Sequence, residues 1–456
     1  MDSNTSNIFH SVTLDPDKCM GCVTCVKRCP TEAIRVRDGK ASIINEYCID
    51  CGECIRVCPH HAKHAIYDPL TVIQGYRRSI ALPAPALYGQ FSHIESTDIV
   101  LNALLKLGFD DVFEVARAAE IVSDRTRQIM EEEEDLPKPL ISCACPAVVR
   151  LIRVEYPELI GNLMTLVPPV ELAARLAARK AMVEHPELAR EDIGVIFITP
   201  CPAKVTSMRA PLGFGASEID ASVAMKEVYP KLLEHLPEIA EIGEMNLPEL
   251  QSAGRVGVSW SGSGGEATAL LTENYLAADG MENVVHVLDS LEEERLGDLD
   301  FIELNACAGG CVGGVLTVEN PYIAHTRVQK LRKFMPVSLN HFDNDMLGLI
   351  TNDEPIDYVN FVAIQKLSDD YEEAISLLAQ MKEIEESLPG IDCGACGAPS
   401  CAAFAEDVIR GNAKKGECII SLRDRLGELA EDDEDIGDFI PRPFRSGKEN
   451  RGDDNH

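Results

Sequence analysis

The chain has 456 residues, 45% of them hydrophobic, enough for two to four domains with sizeable cores and too many for a disordered protein. Its 75 acidic against 42 basic residues give a net charge of −33. That charge excludes nucleic acid and anionic membranes as partners, since both are bound through clustered Lys and Arg; otherwise it means a soluble surface.

No apolar run reaches the roughly 18 residues of a membrane span. The start, "MDSNTSNIFHSVTLDPDK", lacks a secretory pattern, so a cytoplasmic protein is expected. Seventeen cysteines in a reducing compartment point to metal rather than disulfides. The count is odd, so one cysteine should fall outside any set of four-ligand sites.

Residues 19–30 read "CMGCVTCVKRCP" and residues 48–59 read "CIDCGECIRVCP", one C-x2-C-x2-C-x3-C-P pattern repeated at an offset of 29 residues. The pattern matches the bacterial ferredoxin run, in which the fourth cysteine crosses to the other cluster. Cys19, Cys22, Cys25 and Cys58 are then expected to bind one 4Fe-4S cluster, and Cys48, Cys51, Cys54 and Cys29 a second. Zinc suits a single C-x2-C pair but not eight cysteines in a doubled array. His60, His61 and His64, just downstream, read as a solvated turn.

In the middle of the chain, "SIALPAPAL" (79–87), "DVFEVA" (111–116) and "RVGVSW" (255–260) read as strands separated by helical stretches. Three further apolar runs each end in cysteine: "PLISCACP" with Cys143 and Cys145, "IGVIFITPCP" with Cys201, and "FIELNACAGGC" with Cys307 and Cys311. In an open parallel sheet with helices on both faces, the carboxyl edge is where ligands collect. Cys145, Cys201, Cys307 and Cys311 should therefore converge on one buried site. A single buried cysteine is commonly just a small hydrophobe; four at strand ends beside Pro and Gly are not.

Near the carboxyl end, Cys393, Cys396, Cys401 and Cys418 stand in C-x2-C-x4-C-x16-C spacing, Cys401 opening a helical stretch. The segment resembles the small 4Fe-4S domain of electron-transfer and corrinoid-linked proteins. Zinc is the alternative for this tetrathiolate set.

The three middle loops resemble the cluster-binding motifs of the iron-iron (FeFe) hydrogenases, T-S-C-C-P, M-P-C-x-x-K and E-x-M-x-C-x-x-x-C. The matching stretches are "SCACP" (142–146), "TPCPAK" (199–204) and "ELNACAGGC" (303–311), and the likeness runs over roughly residues 79–335. It implies that Cys145, Cys201, Cys307 and Cys311 bind a 4Fe-4S cluster, with Cys311 bridging to a two-iron subsite bearing carbonyl, cyanide and an azadithiolate (together the H-cluster). It also implies that Lys204 donates to a cyanide ligand, a charge-assisted bond, and that Ala84, Pro85 and Pro200 line the pocket. The glycines of 309–314 would let backbone approach a bulky cluster.

Departures from the family pattern are as informative. Where catalytic members carry a proton-relaying cysteine this chain has Ala144, and Cys143, the odd cysteine, sits one residue earlier. Met164, Ser207 and Arg125 or Thr126 fall near the later relay positions, and Thr199 and Asn305 replace methionines. Ligands kept and proton wire lost resembles the sensory branch of the family, which the C-terminal iron–sulfur segment also fits.

The expected architecture is a two-cluster, bacterial ferredoxin-like (α+β) domain (1–75) and an α/β hydrogenase large-subunit-like domain (76–355). A helical linker (356–385), a small helical 4Fe-4S domain (386–425) and an acidic disordered tail (426–456) follow. Catalysis would rest on Cys311 and Lys204. Reversible, slow reaction of H2 to two protons and two electrons is expected, passed to a redox or signalling partner protein. The alternative is a non-enzymatic iron–sulfur scaffold or electron carrier without the two-iron subsite.

Overall fold

Eleven strands form among the residues that the computed structural model describes, which are 9–133, 135–212, 215–243, 246–350 and 366–430. In chain order they are β1 (Val12–Leu14), β2 (Ile34–Arg37), β3 (Lys40–Ile43), β4 (Lys63–Ala65), β5 (Arg78–Pro83), β6 (Asp111–Val112), β7 (Leu140–Ile141), β8 (Ile193–Thr199), β9 (Ala221–Ala224), β10 (Tyr275–Asp279) and β11 (Phe301–Asn305). By contact density the chain divides into two units, one from the described residues within 1–18 and 45–364, the other from those within 19–44 and 365–456. The expected ferredoxin segment 1–75 is thus shared between them.

The larger unit holds two parallel sheets, ordered β6-β5-β8-β9 and β10-β11-β7. Strand β8 shows why. All seven of its residues, "IGVIFIT", are buried, as a parallel strand covered on both faces requires. Each fully buried Ile or Phe there contributes roughly 1.5–3 kcal/mol. The helix Pro169–Glu184 packs on β5 and β8, and the helix Met225–Ile242 packs on β8 and β9. Gly194 is glycine because a Cβ would lie 2.2 Å from the Tyr76 ring.

Several strand expectations need correction. The cysteine-bearing strands do not share one sheet: β7 and β11 lie in one and β8 in the other. "RVGVSW" is helical over Arg255–Ser259. A short apolar run cannot by itself separate helix from strand; here Gly257 decides, since a Cβ on it would meet the Ala116 carbonyl oxygen at 2.0 Å, so the helix seats directly on the helix Val115–Glu132. "DVFEVA" is strand only at Asp111–Val112. Glu114, buried, then turns the chain by accepting from Tyr88 Oη at 2.7 Å and Ser252 N at 2.5 Å. In 79–87, β5 ends at Pro83 and a 3-10 turn covers Pro85–Gln90.

The second ferredoxin-type loop belongs to this larger unit. β1 pairs antiparallel with β4, and buried Asp50 accepts from Ser11 N at 3.1 Å and Val12 N at 2.9 Å. Among the described residues no helix is long and apolar enough to cross a membrane.

The smaller unit carries the β2–β3 hairpin, the helix Tyr371–Glu386 and the helix Cys401–Ile409. Asp370 caps the first helix through Glu373 N and Ser400 caps the second through Ala403 N. The two helices pack together, with Met381 and Ile384 against a core of Leu388, Phe404 and Ala405. Of the expected linker and tail, residues 356–365 and 431–456 lie outside the described residues; the helix Ile419–Ala430 enters the first part of that tail.

Candidate metal centre

Three strand ends bring cysteine to one place. Cys145 follows β7 and stands at the N-cap of the helix Pro146–Glu155; Cys201 follows β8 and stands at the N-cap of the helix Pro202–Arg209. In both, proline occupies the first helical turn, where its missing N–H costs nothing. A helix N-terminus also favours an anionic thiolate. Cys307 and Cys311 follow β11 on a glycine-rich turn.

The glycines make the turn possible. Gly309 and Gly310 sit at φ +78° and +82°. A Cβ on Gly310 would lie 2.5 Å from Ser263 N, one on Gly313 2.1 Å from the Ala308 carbonyl oxygen, and one on Gly314 2.2 Å from that of Pro200. The loop therefore presses backbone on backbone, and Gly314 brings it onto the Pro200–Cys201 loop.

Cys145, Cys201, Cys307 and Cys311 line one cavity of about 370 Å³, part of it open to solvent. Pro200, Lys204, Asn305 and Cys51 also line it. Ala84 and Pro85 are buried at the end of β5 and are not among its lining residues. Burial pushes the Cys201 thiol up to about 12 despite the nearby Lys204 ammonium, and pushes Cys307 and Cys311 up as well. Burial would depress Lys204, but the surrounding Cys311, Cys201, Cys145 and Cys307 outweigh it and hold its ammonium above the usual lysine value. Four thiols facing one cation, with Cys201, Cys307 and Cys311 costly to ionise alone, suit an iron–sulfur group, whose iron takes up thiolates as their protons leave.

The Cys51 wall is built by close approach. Gly52, at φ +79°, lies where a Cβ would meet Val315 Cγ2 at 2.7 Å and Pro202 Cγ at 3.2 Å. Arg56 Nη2 donates to the Gly313 carbonyl at 2.7 Å, and Ser11 Oγ to that of Pro202 at 2.7 Å. The loop bearing Cys48, Cys51 and Cys54 is thus fixed beside the four-cysteine cavity. Nearby, Lys63 Nζ is buried with no hydrogen-bond partner, and its charge favours the Cys58 thiolate, a cation suited to an anionic cluster on Cys58. Burial opposes ionisation of Cys58, yet the backbone N–H groups of Lys63, Ala62 and His60 bring its thiol below the usual value. His60, His61 and His64 are exposed; His60 and His61 precede strand β4, while His64, expected in a turn, lies within that strand because it pairs with β1.

Cys143 Sγ donates to the Leu166 carbonyl at 3.1 Å and does not line the cavity. Met164 is buried, with its N–H on the Ile141 carbonyl. Thr126 bonds back to Val122, Arg125 pairs with Glu132 at 3.2 Å, and Ser207 sits on the helix after Cys201. None of these side chains lines the cavity.

The sequence reading missed a buried acid pair. Ser142 Oγ donates to Glu266, and Ala144 N donates to Ser142 Oγ at 3.2 Å. Glu303 accepts from Gly264 N, Ala267 N and, at 2.8 Å, Asn305 Nδ2. Burial and the Glu303 charge raise Glu266 to about 8; burial raises Glu303 too. A glutamate inside the buried strand "FIELN" was the available signal for Glu303; nothing local marked Glu266.

In the small unit, Cys393, Cys396, Cys401 and Cys418 line one cavity of about 330 Å³, part of it open to solvent, with Leu388, Phe404 and Ile420. Burial raises the Cys396 thiol.

Comparison with known proteins agrees with this geometry. The family model "Iron only hydrogenase large subunit, C-terminal domain" matches residues 77–315, more than half the chain, and the chain belongs to that family. A 4Fe-4S dicluster domain matches residues 11–59, and an Fe-S cluster family matches 388–420. The "Periplasmic [Fe] hydrogenase large subunit" of Nitratidesulfovibrio vulgaris is 27% identical over 368 residues, 67% of this chain and 86% of that protein. "Iron hydrogenase 1" of Clostridium pasteurianum is 24% identical over 283 residues, 53% of this chain and 49% of that protein. Among solved structures, an [FeFe]-hydrogenase of Chlamydomonas reinhardtii covers 56% of this chain and 84% of its own at 17% identity, with a TM-score of 0.44. By its family-model matches the chain has a hydrogenase large-subunit-like α/β domain, an N-terminal 4Fe-4S ferredoxin domain and a helical C-terminal cysteine cluster.

Proposed function

We propose that the chain reacts slowly and reversibly with H2 and serves as an H2 sensor or redox signalling protein. The observation that carries this reading is the single cavity lined by Cys145, Cys201, Cys307, Cys311 and Lys204. In it, Cys145, Cys201, Cys307 and Cys311 would hold a 4Fe-4S cluster, and Cys311 would also hold the two-iron subsite. When bound, that group supplies the cleavage of H2 into two protons and two electrons.

The chain's own residues do the rest. The Lys204 ammonium, aimed into the cavity, would donate to an anionic ligand of the subsite. Pro200 and the close-packed 307–314 loop build one wall of the cavity. The Cys51 loop would form the side on which electrons are exchanged with a partner protein, by way of clusters that the eight amino-terminal cysteines and the four C-terminal ones would hold. Glu266, raised to about 8, keeps a proton at neutral pH, and Ser142 Oγ is hydrogen-bonded to it. That pair meets the amide N–H of Ala144, which cannot pass a proton on. Slow turnover follows, and slow turnover suits a sensor, in which H2 need only bias a redox state.

We place the protein in the cytoplasm, on the strength of its many thiols for cluster loading; the Nitratidesulfovibrio relative is described as periplasmic. The missing relay also supports a second reading, a scaffold or electron carrier without the two-iron subsite. Dye-linked H2 uptake by the matured chain tests the choice: slow but measurable uptake supports the first reading, and no uptake from a chain that takes up its 4Fe-4S clusters but no two-iron subsite supports the second.

A further inference from the structure

The C-terminal cysteine cavity and the first ferredoxin-type loop meet on a single hairpin. On one edge of the hairpin, Ala41 N donates to Cys19 Sγ at 3.4 Å and Lys40 Nζ to the Cys19 carbonyl at 2.9 Å. Gly21, at φ +69°, lets the Cys19–Cys22 loop close on the hairpin tip, where a Cβ would meet the Gly39 carbonyl oxygen at 2.5 Å. Strand β3 pairs with β2 in the register Val36↔Ala41. On the opposite edge of β2, Val36 N donates to the Gly397 carbonyl at 2.8 Å. Gly397 is at φ +84°, and a Cβ there would lie 2.0 Å from the Val36 carbonyl oxygen.

Side chains lock this second edge. Arg37 donates from Nη1 to the Cys396 carbonyl at 2.8 Å and from Nη2 to Asp407 Oδ2 at 2.5 Å. Arg35 Nε reaches the same Asp407 oxygen at 2.8 Å, with both partners buried. Lys27, inside the first cysteine motif, donates to the carbonyls of Asp392 and Pro399 at 2.6 and 2.9 Å. Breaking one partner of a buried charged pair is strongly destabilising, so this docking is built to persist. From Gly397 to Ala41 is two strand spacings, about 10 Å at about 4.8 Å each.

We propose that the β2–β3 hairpin is an electron bridge. It holds the C-terminal cluster beside the cluster of Cys19, Cys22 and Cys25 so that these two exchange electrons directly, and Arg37 is the positioning residue that fixes their separation. The inference rests on the cluster assignments proposed above. One electron lost by either cluster is the electron gained by the other; no bond forms or breaks and no proton moves. The C-terminal segment is then the far end of the chain's wire rather than an appended module.

The test is electron paramagnetic resonance of the reconstituted full chain, reduced with excess low-potential reductant, with iron measured on the same samples. In a Cys48→Ser background, which removes the other amino-terminal cluster, the signals of the two remaining partners should still broaden one another. Adding Cys396→Ser should abolish that broadening. Arg37→Met, which keeps every ligand, should weaken it at unchanged iron content. Two independent, unbroadened signals in a Cys48→Ser sample carrying its full C-terminal iron would overturn the bridge and leave the cluster assignment standing. C-terminal iron missing from the wild type would overturn the assignment, and the bridge with it.

Discussion

Lys204 Nζ lies 2.9 Å from the carbonyl oxygen of Ala144, so the residue standing where a proton-carrying side chain was expected contributes only its backbone to the site. The bond ties the helix after β8 to the loop after β7, two strands that belong to different sheets. Its donor is the one cation lining the four-cysteine cavity among the described residues.

Lys204→Met should therefore leave the 4Fe-4S cluster of the cavity in place and lose the two-iron subsite. Because a buried carbonyl also loses its donor, stability should fall by roughly 1–3 kcal/mol. Iron analysis with chemical denaturation checks both. A variant that retains the full subsite would remove Lys204 from the proposed role.

Glu266 predicts a pH dependence. Its folded value is raised to about 8 from 4.5, so between those values the folded chain holds a proton that the unfolded chain releases. The metal-free chain should lose stability as pH rises through that window, at up to about 1.36 kcal/mol per unit from this group. Glu266→Gln should flatten that part of the slope. An unchanged slope in thermal or urea unfolding would show that Glu266 ionises normally.

Restoring a thiol at position 144 should do little. A positioned proton donor typically contributes a hundred- to ten-thousand-fold in rate, or about 3–5 kcal/mol. Met164 and Ser207 interrupt later steps as well, so Ala144→Cys should raise H2 evolution only slightly. Recovery of most of that factor by this one change would mean the rest of the path is intact.

The grouping of the amino- and carboxyl-terminal cysteines was readable from short, regular spacings, and that of the middle ones from local context, each of three strands ending two to four residues before a site cysteine. The sheet arrangement was not readable. An apolar run such as "RVGVSW" carries no period that separates helix from strand, and only the approach of Gly257 to Ala116 decides it. Nor could spacing reveal Ser142 beside Glu266, 124 positions apart, or Arg37 beside Cys396, 359 apart. Those contacts exist only once the chain has closed. Nor did spacing show that Gly310, Gly313 and Gly314 admit protein backbone.

Substitutions should separate the two cavities. Cys311→Ser should abolish the two-iron subsite, since its thiolate is shared by both metal units. Cys396→Ser should leave that subsite spectroscopically intact and slow electron exchange with the partner. Disappearance of the subsite in the Cys396 variant would contradict this separation.

The central claim is that the four-cysteine cavity holds a two-iron subsite, and infrared spectroscopy of the matured chain tests it most directly. Carbonyl and cyanide stretching bands should appear, be absent from Cys311→Ser, and accompany a total of about 18 iron atoms per chain, four 4Fe-4S clusters and two further irons. A fully iron–sulfur-loaded chain with no such bands after maturation would contradict the account and leave the scaffold reading in its place.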